Sequence, residues 1–209
     1  MGASYPVSLN VAGRRCLVVG GGAVAARKAK GLLACGAVVT VIAPEVCDAM
    51  AALGPLTIER RSYAAGDAAA YRLVVTATGV EAVDGAVYAD AEAAGVWVNS
   101  ADDVPHCSVI LPSVHRDGAV TIAVSTGGKS PALAAWLRRR LAEQSGPGLG
   151  DLAEMLAQAR QHLHRDGRST EDVDWAALLD GPLPALVRDG RLEEARAAIA
   201  AAIGSHPAG

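Results

Sequence analysis

The chain contains no phenylalanine at all, and only three Trp and four Tyr among its 209 residues. Aliphatic side chains and Ala must therefore fill the interior. There is no surplus of positive charge: the formal net charge is -3, which argues against a general nucleic-acid binder. A local basic cleft for an anionic small molecule stays open. No apolar run is long enough to span a bilayer, and the first fifteen residues lack the apolar core of a signal peptide, so the expectation is a soluble, cytoplasmic protein. The four cysteines, Cys16, Cys35, Cys47 and Cys107, form no CxxC pair and no zinc-like spacing. Cys16 and Cys35 lie in apolar segments and read as small core residues.

What is present is apolar residue in quantity, 51% of the chain, enough for one large domain or two small ones. Short β-branched runs recur at 14–19, 38–43, 56–60, 72–78 and 95–100, with Ala-rich helical stretches between several of them. Residues 23–35 carry Val24, Ala25, Lys28, Leu32 and Leu33 at helical spacing, and Gly36 follows as a C-terminal stop. Strands alternating with helices imply a parallel sheet covered on both faces. After residue 106 the pattern changes. Residues 107–114 and 119–126 read as two strands around a turn at 115–118, and 130–144 as a helix. A breaker-rich loop follows, then a helical remainder. The expected fold class is α/β: a Rossmann-like domain over 1–112, a small α+β connecting unit over 113–145 and a helical C-terminal domain over 146–209.

Gly20, Gly22 and Ala25 fit G-x-G-x-x-[G/A] between a predicted strand and a predicted helix. The first glycine permits the tight turn, the second lets backbone amides approach a pyrophosphate, and the small third residue lets helix and strand pack closely. The anion would sit at the helix N-terminus. The same glycines can also serve packing alone. The second strand ends in Pro44 and Glu45. Glu45 is the nearest acid for the ribose hydroxyls, which favours NAD over NADP, and no arginine follows that strand to hold a 2′-phosphate. Glu45 reads equally as a solvated first-turn residue of the next helix.

The segment "YPVSLNVAGRRCLVVGGGAVAARKAKGLLACGAVVTVIAPE" resembles the start of precorrin-2 dehydrogenases, the N-terminal module of siroheme synthases. "VVTATGVEAVD", "VNSADDVPHCSVILPS" and "AVSTGGKSPALAAWLRRRLAE" match the same family in order, over residues 5 to 145. The resemblance implies NAD-dependent oxidation of precorrin-2 to sirohydrochlorin, in many members followed by insertion of ferrous iron as a second substrate, and a domain-swapped homodimer. A methyltransferase domain often follows in longer relatives; without it this chain is not expected to make precorrin-2 itself. Carried over by motif, Ala23 and Val24 contact NAD in the loop, Pro44 and Glu45 lie over the adenosine, and Thr78 and Gly79 lie beside the cofactor. Asp102 aligns with an aspartate implicated in both reactions. This chain has Ser100 where a valine is common in the family's "NVxD" form, and Thr126 where some relatives have a phosphorylated serine.

The residues fit the chemistry on their own terms. Oxidation removes a hydride and a proton from a tetrapyrrole ringed by carboxylates. Asp102 follows the fifth strand, at the sheet edge where ligands bind in such folds. There it can act as a general base or orient a pyrrolic N–H; it can also simply cap a turn. Ser125, Thr126, Gly127, Gly128, Lys129 and Ser130 offer amides, hydroxyls and a cation for the substrate's carboxylates. Ser130 reads also as a plain N-cap with Pro131 after it. Arg138, Arg139 and Arg140 share one helical turn and read as a solvated face or a dimer contact. His106 and Cys107 can assist Asp102 or be surface residues. His162 and His164 are two apart on a helix and face different ways. No resident metal site is expected. Two readings stand beside the dehydrogenase: a member whose iron is inserted by a separate chelatase, and a non-catalytic NAD-sensing module.

Overall fold

Five of the apolar runs become one parallel sheet: β1 (Arg15–Val19), β2 (Val38–Ile42), β3 (Thr57–Glu59), β4 (Leu73–Thr76) and β5 (Trp97–Ser100), in the order β3-β2-β1-β4-β5. In the computed structural model, which describes residues 4–101 and 103–204, β1 and β2 each bury four successive residues. A sheet wet on one face would bury only every second residue. One face sets Val18, Val39, Val41 and Val75 against Ala25, Ala26 and Ala29 of α1 (Ala23–Ala34). The other sets Leu17, Val19, Ile42, Val74 and Val98 against Val87 and Ala91 of a later helix, Glu81–Ala93. The short α2 (Asp48–Ala51) lies between β2 and β3, and the later helix is α3. Alanine and valine thus do the packing that a Phe-containing core would assign to rings.

The end of α1 follows the expected stop. Gly36 has φ +73°, its N–H donates to the Leu33 carbonyl, and the Ala37 N–H donates to Leu32. This is the paired closure of a left-handed C-terminal cap. Because β2 lies on one side of β1 and β4 on the other, the chain leaves β1 and β4 toward opposite faces. The strand order reverses there, at the carboxyl edge where open parallel sheets bind their ligands.

Beyond Leu111 a second compact unit begins. It contains the antiparallel pair β6 (Ser113–Asp117) and β7 (Val120–Val124), then α4 (Pro131–Ser145), α5 (Leu149–Arg165), α6 (Trp175–Asp180), α7 (Leu183–Arg188) and α8 (Leu192–Gly204). The hairpin departs from the sequence reading. Residues 107–110 form no strand; instead the Ser108 and Val109 amides both donate to the Val98 carbonyl, folding the segment back along β5. Pro112 has no N–H to continue a ladder, so pairing starts at Ser113. The turn falls at Gly118, φ +54°, a conformation that glycine adopts without steric cost. Asp117 then ties the hairpin to α5: its Oδ2 accepts from the Gly148 and Leu149 amides at 2.9 and 2.8 Å. Helix α5 buries Leu152, Met155, Ala159 and Leu163, a three-and-four spacing, and the first three pack with Leu183, Val187, Ala195 and Ile199 from α7 and α8. Among the described residues no helix is long and apolar enough to cross a membrane.

Candidate functional site

The three glycines after β1 have two different tasks. A Cβ on Gly20, which has φ +119°, would overlap the carbonyl oxygen of Ala77 after β4; one on Gly21 would overlap that of Glu45 after β2. These glycines let three chain segments converge at the switch point. The Gly21 carbonyl also accepts from the Cys47 amide at 2.8 Å. Gly22 differs: its φ of -79° suits any residue, and nothing lies within 4 Å of where a Cβ would be. It caps α1, whose first turn carries no acid, and the amides of Ala23, Val24 and Ala25 find no acceptor among the described residues. Free N–H groups, a positive dipole end and open space fit a pyrophosphate. Gly21 had no assigned role in the sequence reading, because its crowding comes from a segment 24 residues away.

Pro44 and Glu45 are exposed at the end of β2. Beside them runs the end of β3, since the Ala43 amide donates to the Glu59 carbonyl at 3.2 Å. Arg60 and Arg61 therefore share this edge. Arg61 is engaged: it donates to both Asp67 oxygens (2.6 and 3.0 Å) and twice to Glu59 Oε2 (2.9 and 2.6 Å). Hydrogen bonding from Arg61 holds the Asp67 carboxyl below the usual carboxylate range. A search for arginine along β2 alone could not find this neighbour, which sheet register brings in from the next strand.

After β4, Thr78 and Gly79 (φ +71°) form the turn into α3. Asp84, buried in the first turn of α3, organises it. Its Oδ1 accepts from the Thr76 hydroxyl, the Thr78 hydroxyl (2.8 Å) and the Thr78 amide (3.2 Å). The Thr78 hydroxyl in turn accepts from the Val80 amide at 3.0 Å. The sequence reading missed Asp84. The available signal was a helix-initial acid six residues after a threonine at a strand end.

After β5 the chain is folded under itself by Cys107. Its thiol donates to the Ser100 carbonyl at 3.2 Å and accepts from the Ser100 amide at 3.2 Å. Burial pushes that thiol's pKa up. Asp103 Oδ2 and His106 Nδ1 are paired at 2.6 Å, and the imidazole lies against the Tyr88 ring, centroids 5.0 Å apart. Asp103 is thus occupied locally. Two buried oxygens, Asn99 Oδ1 and Ser100 Oγ, have no hydrogen-bond partner among the described residues. Asp102, the carboxylate singled out from the sequence, lies outside the described residues. Among the described residues no three His, Cys, Asp or Glu side chains are grouped as a metal site would need.

The second unit holds the 125–130 loop. Ser130 acts as the N-cap of α4, accepting from the Leu133 amide at 3.2 Å. Thr126 Oγ1 accepts from the Ser130 amide and donates to its carbonyl (3.0 and 3.1 Å), and Ser125 Oγ accepts from the Gly127 amide (3.2 Å). Gly127 and Gly128 both have positive φ. Lys129 is exposed and unpaired among the described residues. The hydroxyls shape the loop, and the lysine is left as its free cation.

Comparison with known proteins agrees with this layout. Residues 7–113 match a family model described as putative NAD(P)-binding, and residues 117–144 one described as the sirohaem biosynthesis protein central region. The siroheme synthase of Nitrosococcus oceani is 37% identical over 203 residues, 95% of this chain and 43% of that protein. The siroheme synthase of Chromobacterium violaceum is 38% identical over 201 residues, 92% of this chain and 42% of that protein. The chain therefore spans less than half the length of these curated relatives. The solved structure of SirC, a precorrin-2 dehydrogenase, superposes with a TM-score of 0.72 at 27% identity, covering 96% of this chain and 99% of that one.

Proposed function

We propose a dehydrogenase function from one premise: the chain belongs to the sirohaem-biosynthesis family of putative NAD(P)-binding proteins. The reading is that it oxidises precorrin-2 to sirohydrochlorin, with NAD as the oxidant. The observation that carries it is the open cradle at Gly22, with amides at the start of α1 that find no acceptor among the described residues.

When bound, the cofactor supplies a hydride acceptor at its nicotinamide ring. The chain's residues do the rest. The amides of Ala23 and Val24 hold the pyrophosphate. Glu45 accepts from the ribose hydroxyls, with Pro44 fixing the turn beneath, and Thr78 and Gly79 flank the nicotinamide half. Asp102 takes the proton that accompanies hydride loss. Gly127, Gly128 and Lys129 receive the substrate's carboxylates, on a loop held in shape by Ser125, Thr126 and Ser130. Residues 113–145 form the dimerisation unit of a homodimer.

The test is an anaerobic assay of the full chain with precorrin-2 and NAD, read as NADH absorbance. Formation of NADH with sirohydrochlorin is the expected result; absence of turnover with bound NAD would leave a non-catalytic sensing module. A second arm, sirohydrochlorin with ferrous iron and no NAD, reads chelation separately.

A further inference from the structure

We propose that Arg60 makes the adenosine end of this site accept a 2′-phosphate, so that the chain binds NADP as well as NAD. The proposal rests on the dinucleotide reading above and concerns only its adenosine half. With the pyrophosphate at Gly22, that half extends toward β2 and β3, where strand order places the first mononucleotide. Glu45 stands at the end of β2. The Ala43–Glu59 backbone bond, 3.2 Å, brings the end of β3 alongside.

Two adjacent arginines occur there, and they differ in availability. Arg61 is saturated by Glu59 and Asp67, four hydrogen bonds between 2.6 and 3.0 Å. Its fork is committed and its charge is more than compensated by two carboxylates. Arg60 is exposed and makes no hydrogen bond or ion pair among the described residues. A guanidinium left free beside an adenosine ribose is what a 2′-phosphate needs: planar, permanently charged and able to bind two oxygens at once. Glu45 acts in the opposite sense. Its carboxylate favours the 2′-hydroxyl of NAD and repels a phosphate. With one cation and one anion at the same edge, neither cofactor is excluded, and the expected preference between them is modest.

The experiment is equilibrium titration of the full chain with NAD and with NADP, each at low and at physiological salt. Wild type is expected to bind the two within tenfold of each other, with NADP binding the more sensitive to salt. Arg60→Ala should lower the NADP-to-NAD affinity ratio at least threefold and leave NAD within twofold. Arg60→Lys should restore part of the ratio, and Glu45→Gln should raise it. Arg60 has no structural bond to lose, so the thermal midpoint should not move. Wild-type discrimination against NADP beyond tenfold, or a ratio that falls less than threefold in Arg60→Ala, would overturn the proposal. Binding of neither dinucleotide would instead sink the cofactor reading itself, and this proposal with it.

Discussion

At the scale of single residues, adjacent glycines carry unequal burdens. Gly20 and Gly21 have no room for a side chain, because carbonyl oxygens of Ala77 and Glu45 occupy the space. Gly22 has room and an ordinary φ. Gly21→Ala should therefore cost stability, about 1–3 kcal/mol for forced overpacking, seen as a lower unfolding midpoint before any cofactor is added. Gly22→Asp should leave that midpoint nearly unchanged and weaken dinucleotide binding at least tenfold, since the new carboxylate fills the anion's place. Wild-type NAD affinity in Gly22→Asp would show that the loop is a packing device only. The G-x-G-x-x-A spacing singles out Gly20, Gly22 and Ala25 as motif positions, although the crowding at Gly20 comes from Ala77, 57 residues away. Gly21 was not legible, since its neighbour comes from the end of β2. Asp102, singled out by the family resemblance and by its place after the fifth strand, lies outside the described residues.

At the scale of elements, the carboxyl edge depends on how strand ends are fastened. Asp84 binds β4 to α3 through Thr76 and Thr78. Asp84→Ala should cost roughly 1–3 kcal/mol, the penalty for stranding buried donors. It should also weaken cofactor binding several-fold by releasing the Thr78–Gly79 turn; denaturant titration and a binding isotherm read the two effects independently. At the opposite edge, β1 buries Cys16, whose thiol is pushed up to about 11 by burial first and by Cys35 second. An unfolded cysteine titrates near 8.5. The folded pKa is the higher, so this contribution is intact below about pH 8.5 and is lost as pH rises toward 11. The loss is on the order of 3 kcal/mol. Stability measured between pH 8 and 11 should thus fall less steeply in Cys16→Ala than in wild type, and parallel slopes would count against it. β1, β2 and β4 were legible as mostly apolar, β-branched runs. β3 (Thr-Ile-Glu) and β5 (Trp-Val-Asn-Ser) carry only one and two apolar residues and were read from their place in the alternation with helices. The hairpin was displaced in the reading of 107–114, an equally apolar run, because its amides are taken up by Val98. Hydropathy does not reveal that pairing.

At the scale of the whole molecule, the second unit is built as if something were to cover it. A two-stranded ribbon is marginal by itself in water, and among the described residues β6 and β7 have only each other as strand partners. Helix α4 turns Ala134 inward at 5% exposure, yet leaves Leu133, Trp136 and Leu141 at 47%, 49% and 40%. Leu133, Trp136 and the half-buried Leu137 lie on one helical stripe, with Leu141 at its margin, on the same side as the buried Ala134 seven residues earlier. Clustered apolar exposure of this kind fits an association surface. A second copy of the chain presents the same stripe, so a two-fold interface would pair it with itself. The wild-type protein is accordingly expected to have the mass of a dimer at micromolar concentration by light scattering. Leu133→Glu combined with Trp136→Glu should shift it to a monomer, by placing like charges on both sides of the contact. The dinucleotide loop belongs to the other compact unit, residues 1–111, so NAD affinity should survive in the monomer. Turnover of precorrin-2 should fall if the 125–130 loop, which directly precedes α4, is held in place by the same contact. A monomeric wild type would refute the interface. A monomeric variant with full turnover would keep the interface and detach it from catalysis.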